Sequence, residues 1–364
     1  MLYFSCSKPL ELPNTDSDKS ILIFEGDILT GDQPVTNFLI LSRLNNFDSK
    51  FQAFEENAKV TIMDDRGGSW NLEPTLDGKY KNTSIYPSDR SYKFHVETKE
   101  GVVYESALEK PLYTPPIDSL TYSQGLDDVT IFVHSHDSNN DSKYFRWSFE
   151  ETWERHSFYE SFYDYVNGQL VERGLENQIY RCWKTVQGAG VVIANTTGLS
   201  ESRISYLPIT KIYEPDDRIS VRYSINVRQI ALSKEAYEFW NILKKNTETT
   251  GSLFDPQPSA LPTNISCISD SKKIVIGFVS VTTQAEKRFF IKNSEMNGWT
   301  YPLNDKDCLL QQRSPGGALY FLSNTYPDFI PISYSNLGNA YSFAKNYCVD
   351  CRVTGGVNVK PDFW

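Results

Sequence analysis

The chain has 364 residues, enough for about two domains and for a buried core that folds without a disulfide or metal. Its 36 Lys and Arg stand against 46 Asp and Glu, and the net charge of −10 argues against nucleic acid or an anionic membrane surface as partner. An aromatic content of 14% favours strands and excludes a disordered chain, and only four histidines leave little for a His-based metal site.

Residues 1–19 read as the remnant of a lipoprotein signal followed by a tether. Leu2-Tyr3-Phe4-Ser5 leads into Cys6. An apolar run ending in Ser-Cys resembles the bacterial lipoprotein signal whose cysteine carries lipid. The stretch to Ser20 is rich in Pro, Asp and Ser and has no apolar period, as a tether requires. A β-sandwich is expected over residues 20–112. Its strands begin with Ile21–Phe24, Phe38–Leu41 and the alternating Ala58–Ile62. Asp64–Gly68 is a turn, with Gly supplying φ > 0 and Asp bonding its own backbone. Trp70 and Leu72, then Tyr92, Phe94 and Val96, then Val103–Ala107 continue the pattern. The order of strands and turns resembles the prealbumin-like sandwich of carboxypeptidase regulatory domains.

Tyr113-Thr-Pro-Pro116 is a stiff linker, because two prolines break pairing. Residues 117–364 are expected to form a second, immunoglobulin- or fibronectin-like sandwich. Val129–Val133 is a strand and His134–Asp141 a polar loop. Phe145, Trp147 and Phe149 share one face, with Arg146, Ser148 and Glu150 on the other. Ile179–Thr185, Val191–Ala194 and Ile219–Leu232 are further strands. One helix is inserted near 234–246. Ser233 is its N-cap, Ala236, Trp240 and Leu243 share a face with Tyr237 beside it, and Gly251 ends it. Such a helix is expected to cap an open sheet edge, with a partner contact as the alternative. Lys273–Thr282 and Lys287–Ile291 read as a β-hairpin. Phe363 and Trp364 are expected to dock on the body or on a partner.

Besides Cys6, the disulfide candidates are Cys182, Cys267, Cys308, Cys348 and Cys351. Five is odd, so one thiol stays unpaired or bonds another chain. Cys348 and Cys351 have CxxC spacing, but they precede a strand or turn rather than open a helix, so structural disulfides are expected over redox catalysis. Zinc would want a second CxxC or a matching His pair. His134, His136, Asp137 and Asp141 offer a cation site or, alternatively, an Asn/Asp-rich turn; no metal or cofactor is expected. Glu150, Glu151 and Glu154 lie beside aromatics, as two acids would in a glycan cleft, or as solvated residues of a core-packing strand. Trp153, Phe158 and Tyr159 are candidates for an exposed ligand or partner patch. Gly-x-Ser-x-Gly, HExxH, P-loop and Rossmann fingerprints do not occur, and no catalytic residue is assigned.

Three stretches carry a family resemblance: Ile230–Trp240 (IALSKEAYEFW), Phe254–Ile265 (FDPQPSALPTNI) followed by Ile276–Val281 (IGFVSV), and Cys348–Trp364 (CVDCRVTGGVNVKPDFW). With SILIFEGDILTG from Ser20 and the Pro-Pro-Ile-Asp-Ser-Leu linker, they resemble the Bacteroidota lipoprotein family catalogued as domain of unknown function 4249. The resemblance spans nearly the whole chain, which departs from it in lacking the charged start of a signal. It implies an outer-membrane lipoprotein, often encoded beside a TonB-dependent transporter, with the lipidated cysteine carried over to Cys6. The family has no assigned catalytic residues to carry over.

The expected function is therefore that of a non-enzymatic, lipid-anchored envelope protein, accessory to a TonB-dependent outer-membrane transporter in nutrient capture. The alternatives are a surface adhesion or envelope-structural protein, and a glycan hydrolase using the Glu150–Glu154 run.

Overall fold

The computed structural model describes residues 21–44, 53–75, 78–248, 261–300 and 307–364. Cys6 and its tether lie outside them. The chain is mainly β, as its aromatic and β-branched runs require. In order it forms β1 (Ile21–Glu25), β2 (Ile28–Leu29), β3 (Gly31–Leu44), β4 (Ala53–Phe54), β5 (Lys59–Asp64), β6 (Ser69–Pro74), β7 (Lys79–Tyr86), β8 (Tyr92–Glu97) and β9 (Val103–Ser106). Next come β10 (Ile117–Gln124), β11 (Asp128–Asp137), β12 (Tyr144–His156), β13 (Tyr163–Val166), β14 (Gln169–Glu172), β15 (Arg181–Gln187), β16 (Val192–Asn195), β17 (Ser202–Tyr213) and β18 (Arg222–Leu232). Helix α1 (Lys234–Glu248) precedes β19 (Ile265–Cys267), β20 (Val275–Ile276), β21 (Val281–Thr282) and β22 (Gln284–Lys292). The last elements are β23 (Gln311–Arg313), α2 (Pro315–Thr325), β24 (Phe329–Ser335), β25 (Ala340–Lys345) and α3 (Asn346–Val349).

The first sandwich is one hydrogen-bonded path, β19-β9-β8-β5-β6-β7-β3-β1-β20, folded onto itself. Strand β6 passes between the layers, pairing β5 with its first four residues and β7 with its last two. Leu22 and Phe24 of β1 meet Val60, Ile62, Phe94 and Val96 in the core, as period-2 alternation dictates. Tyr86 and Tyr92 are buried there with them, and burial pushes both phenols up to about 12. The turn after β5 forms as its sequence implies. Asp64 accepts from the Arg66 backbone N–H at 2.9 Å and the Gly68 backbone N–H at 2.5 Å, and Gly67 has φ +85°.

Two expectations change here. The first sandwich does not end at residue 112, because β19, β20 and β21 return to it after α1. Strand β19 pairs antiparallel with β9, β20 parallel with β1, and β21 parallel with β2. The stretch 273–291 is accordingly no hairpin, for β22 pairs with β18 of the other sandwich. A short apolar run such as Val275–Val281 reads the same in either sheet, and only burial of Val275, Val279 and Val281 in the first core decides.

The second sandwich sets the three-stranded sheet β10-β11-β17 against the sheet β15-β12-β18-β22, to which β16 adds beside β12. This three-on-four arrangement is immunoglobulin-like. Phe145, Trp147, Phe149 and Trp153 from β12 fill its core with Tyr223, Ile225 and Val227 from β18. Strand β11 runs on through His134 and His136 to Asp137, so these histidines lie on a strand and not in a loop. The linker is pinned rather than loose: Thr114 Oγ1 accepts from the Ala231 N–H at 2.8 Å, and the Thr114 N–H donates to Thr283 Oγ1 at 2.8 Å.

Helix α1 starts at the expected cap, with the Ala236 N–H donating to Ser233 Oγ at 3.1 Å. It packs at the junction of the sandwiches instead of capping a sheet edge. Ala236 and Phe239 bury against Ile230, Leu232 and Phe278, and Phe278 belongs to the returning segment. Phe239 is 4% exposed and holds the central place, with Trp240 at the margin. No described helix is long and apolar enough to cross a membrane. Beyond residue 307 the chain builds a small cap, the sheet β23-β25-β24 with α2 and α3, packed on hairpin β13-β14. The segment 117–364 therefore holds a sandwich, a return into the first unit, and this cap.

Candidate functional site

Alternation along β12 sorts its residues onto two faces, and the register with β18 and β22 arranges the outer one in rows. Arg146 lies opposite Ile230, which faces Gln284. Ser148, Arg228 and Glu286 form the next row, then Glu150, Asn226 and Arg288, then Thr152, Ser224 and Phe290, then Glu154, Arg222 and Lys292. These polar side chains hold one another. Arg288 reaches Glu150 at 3.6 Å and donates to Ser224 Oγ at 3.0 Å, and burial lowers the pKa of its guanidinium. Arg228 and Glu286 stand 3.8 Å apart, and Gln187 Nε2 donates to Glu150 at 2.8 Å.

Phe363 and Trp364 dock on this face as expected. The Arg288 guanidinium lies 3.5 Å from the Phe363 ring centroid. Trp364 packs against Trp183 and Phe290, and its indole N–H donates to Glu154 Oε2 at 3.2 Å.

At the opposite end of the same face, the first sandwich closes over the sheet and leaves a cleft of about 480 Å³. One wall is Glu25–Asp27 with Phe38 of β3; the other is Arg146, Ser148 and Arg228 with Glu286. Asp27 and Arg146 form an ion pair across it, both largely buried. The Arg146 guanidinium also lies 4.2 Å from the ring centroid of Trp240, so α1 fixes its position. Asp27 Oδ1 is buried and has no hydrogen-bond partner among the described residues. Two local devices shape the first wall. A Cβ on Gly26 would sit 2.4 Å from the Phe38 carbonyl oxygen, so only glycine lets the strands approach. The buried Asn37 side chain accepts from the Leu29 N–H at 2.6 Å and donates to the Leu29 carbonyl at 3.0 Å, holding β2 where β3 does not pair with it. A second groove, of about 540 Å³, runs between β15 and residues 355–362. It lacks such a cross-domain charge pair.

The residues singled out from the sequence fall elsewhere. Trp153 is 6% exposed and lies in the second sandwich's core, because odd positions of β12 point inward. Phe158 and Tyr159 are half-buried against Ile179, Cys308 and Cys348, and Tyr159 donates its hydroxyl to the Cys308 carbonyl at 2.9 Å. These three aromatics therefore make no common exposed patch.

The carboxylates also separate. Glu151 points inward, accepting from Tyr223 at 2.6 Å and Arg218 at 2.8 Å. Burial and the Glu151 charge push the Tyr223 phenol well up. Burial opposes ionisation of Arg218, yet Asp216 and Glu151 raise its pKa above the ordinary value. Glu150 and Glu154 share the outer face, but four residues of extended chain put them about 13 Å apart. Glycoside cleavage by two carboxylates needs about 5–9.5 Å. Glu154 is also tied to His156 at 2.8 Å and Arg181 at 3.2 Å.

Around β11, Asp137 spends its oxygens on the backbone N–H groups of Asn139, Asp141 and Ser142. His136 pairs with Asp118 at 2.7 Å, and His134 bonds Thr121 at 2.8 Å. Among the described residues no group of three or more His, Cys, Asp or Glu is placed to hold a metal.

The cysteines pair across the chain. Cys182 bonds Cys351 and Cys308 bonds Cys348, so the two CxxC members go to different partners. Cys267 is the unpaired thiol among the described residues, buried at 6% exposure in the first core.

None of the cleft residues stands out in the sequence as a site: Asp27 falls in the family stretch from Ser20, Phe38 and Arg228 in expected strands, and Arg146 on the polar face of an aromatic strand.

A family model described as "Domain of unknown function (DUF4249)" matches residues 7–288. No curated protein matches the chain. Among solved structures, a two-domain fibronectin type-III segment of chicken tenascin is 13% identical, covers 59% of this chain and 92% of its own, and has a TM-score of 0.18. A DUF4785 family protein from Legionella pneumophila is 11% identical, covering 57% of this chain and 52% of its own with a TM-score of 0.19. Trypsin-activated alpha-2-macroglobulin from Escherichia coli is 10% identical, covering 60% of this chain and 15% of its own at 0.21.

Proposed function

The chain belongs to the DUF4249 family, and on that premise we propose that it is a non-enzymatic, lipid-anchored envelope protein of Bacteroidota, accessory to a TonB-dependent outer-membrane transporter in nutrient capture. The observation that carries this reading is the cleft built jointly by the two sandwiches. Opposite charges from separate units line it, the Asp27–Arg146 pair ties its walls together, and a buried Asp27 carboxylate oxygen has no hydrogen-bond partner among the described residues. That is the chemistry of a site that holds a polar ligand by several hydrogen bonds. The neighbouring carboxylates Glu150, Glu151 and Glu154 are each bound to cationic side chains, and strand geometry keeps them from acting as an acid–base pair on one bond. The anchor is assigned to Cys6 on the apolar run ending in Ser5.

The test has two parts. Membrane fractionation of the Cys6→Ala variant is expected to move the protein from the outer-membrane to the soluble fraction. Pull-down of the native protein from detergent-solubilised outer membrane is expected to recover a TonB-dependent transporter. Recovery of none would overturn the accessory role.

A further inference from the structure

The balance of charge and hydrogen-bonding groups in the cleft identifies a ligand class, and this rests on reading the cleft as the capture site. Three acids, Glu25, Asp27 and Glu286, face two arginines, Arg146 and Arg228. The arginines are already partnered, Arg146 by Asp27 and Arg228 by Glu286. An anionic ligand would gain no free counter-ion there and would be repelled by the three carboxylates. A neutral ligand with many hydroxyls meets a different surface. Each carboxylate offers about four lone-pair sites and each guanidinium five N–H groups, and one ion pair uses only part of either.

Asp27 Oδ1 is buried and has no donor among the described residues. A hydroxyl supplies that donor and an anion does not. An unpaired buried acceptor carries a desolvation cost that a ligand hydroxyl would relieve. Phe38 adds the apolar half of the recognition. Phe38 is 48% exposed on the cleft wall, beside the half-buried Val35 and Ile40 of the same strand. A ring face in that position packs against the C–H face of a pyranose while the hydroxyls turn to the charged wall. The volume of about 480 Å³ suits a short oligomer rather than a large fold.

We propose that the inter-sandwich cleft binds a neutral oligosaccharide, with Asp27 and Arg146 taking ring hydroxyls and Phe38 stacking beneath the sugar. The experiment is isothermal titration of the full chain with neutral oligosaccharides of glucose, mannose, galactose, xylose and N-acetylglucosamine, and with oligogalacturonate as the acidic counterpart. At least one neutral sugar is expected to bind, at least tenfold more weakly to Phe38→Ala and to Asp27→Asn, with Phe38→Trp retaining binding. Phe38→Ala, being a surface change, is expected to melt as the parent does, which separates lost binding from lost folding. Binding of no neutral sugar, of oligogalacturonate alone, or of a neutral sugar with unchanged affinity in both variants would overturn the proposal. Transporter recovery by Phe38→Ala keeps the two ideas apart. A chain that recovers its transporter yet binds no sugar loses only the ligand class, and one that binds sugar without a transporter loses only the accessory role.

Discussion

The indole N–H of Trp147 donates to Oε1 of Gln229 at 2.8 Å, across a directly opposed pair of the central strands β12 and β18. Both residues are buried. The amide nitrogen of Gln229 then donates to the Pro115 carbonyl at 2.8 Å and to Ser135 Oγ at 2.9 Å. One side chain thus joins both sheets of the second sandwich to the linker that leads out of the first.

Replacing Gln229 should therefore be costly out of proportion to its size. Gln229→Leu keeps the volume but strands the Trp147 donor and the Pro115 acceptor, at about 1–3 kcal/mol each. A loss of roughly 3–4 kcal/mol is expected from urea unfolding. Trp147→Phe in the same background should cost less than it does alone, because its donor has already lost its acceptor. Strict additivity of the two changes would contradict the coupling.

Asp64 makes the first sandwich sensitive to acid. Burial alone would raise its pKa, but the Arg90 guanidinium at 2.7 Å and the N–H groups of Gly68 and Arg66 hold it below the usual carboxylate range. A depressed pKa means that the stabilisation is complete above the unfolded value, near pH 4, and is lost as the pH falls through the folded value. Asp64→Asn should lower the urea midpoint at pH 7 by the equivalent of about 2–3 kcal/mol. The variant's stability should also fall less than the parent's between pH 5 and 3. Parallel pH profiles would remove Asp64 from the account.

The two disulfides hold the cap. Cys182–Cys351 spans 169 residues and Cys308–Cys348 spans 40. Chain entropy assigns them about 5 and about 4 kcal/mol when each is considered alone. Cys308→Ala/Cys348→Ala should loosen the cap first, seen as early proteolysis within 308–349 while β1–β12 stay protected. Cys267, deep in the first core, should react with a thiol reagent only after denaturation. Labelling of Cys267 in the native chain would contradict its placement.

Helix α1 should be more sensitive at Phe239 than at Trp240. Phe239→Ala removes a ring buried between the two sandwiches and should cost about 3–4 kcal/mol. Trp240→Ala loses a half-buried ring over Arg146 and should cost about 2 kcal/mol. Ser233→Ala, which deletes the cap, should cost about 1 kcal/mol. Thermal melts of the three variants give the order directly, and a larger loss at Trp240 would reverse the packing described.

Local patterns were legible in the sequence because they depend on near neighbours. Alternation at Tyr92–Val96 and Phe145–Phe149, the Asp64–Gly68 turn and the Ser233 cap each arise within about ten residues, and the odd cysteine needs only a count. Partnership across long separations was not. Burial of Trp153 follows from the uninterrupted length of β12. The return of β19–β21 to the first sandwich follows from which core can absorb Val275, Val279 and Val281. The cleft exists only because Asp27 and Arg146 meet 119 residues apart. Sequence by itself determined a mainly β chain in sandwiches, with one capped helix and a family. Tertiary structure alone decided which faces meet, because a strand's alternation specifies two faces and leaves open which surface, or which solvent, lies against each.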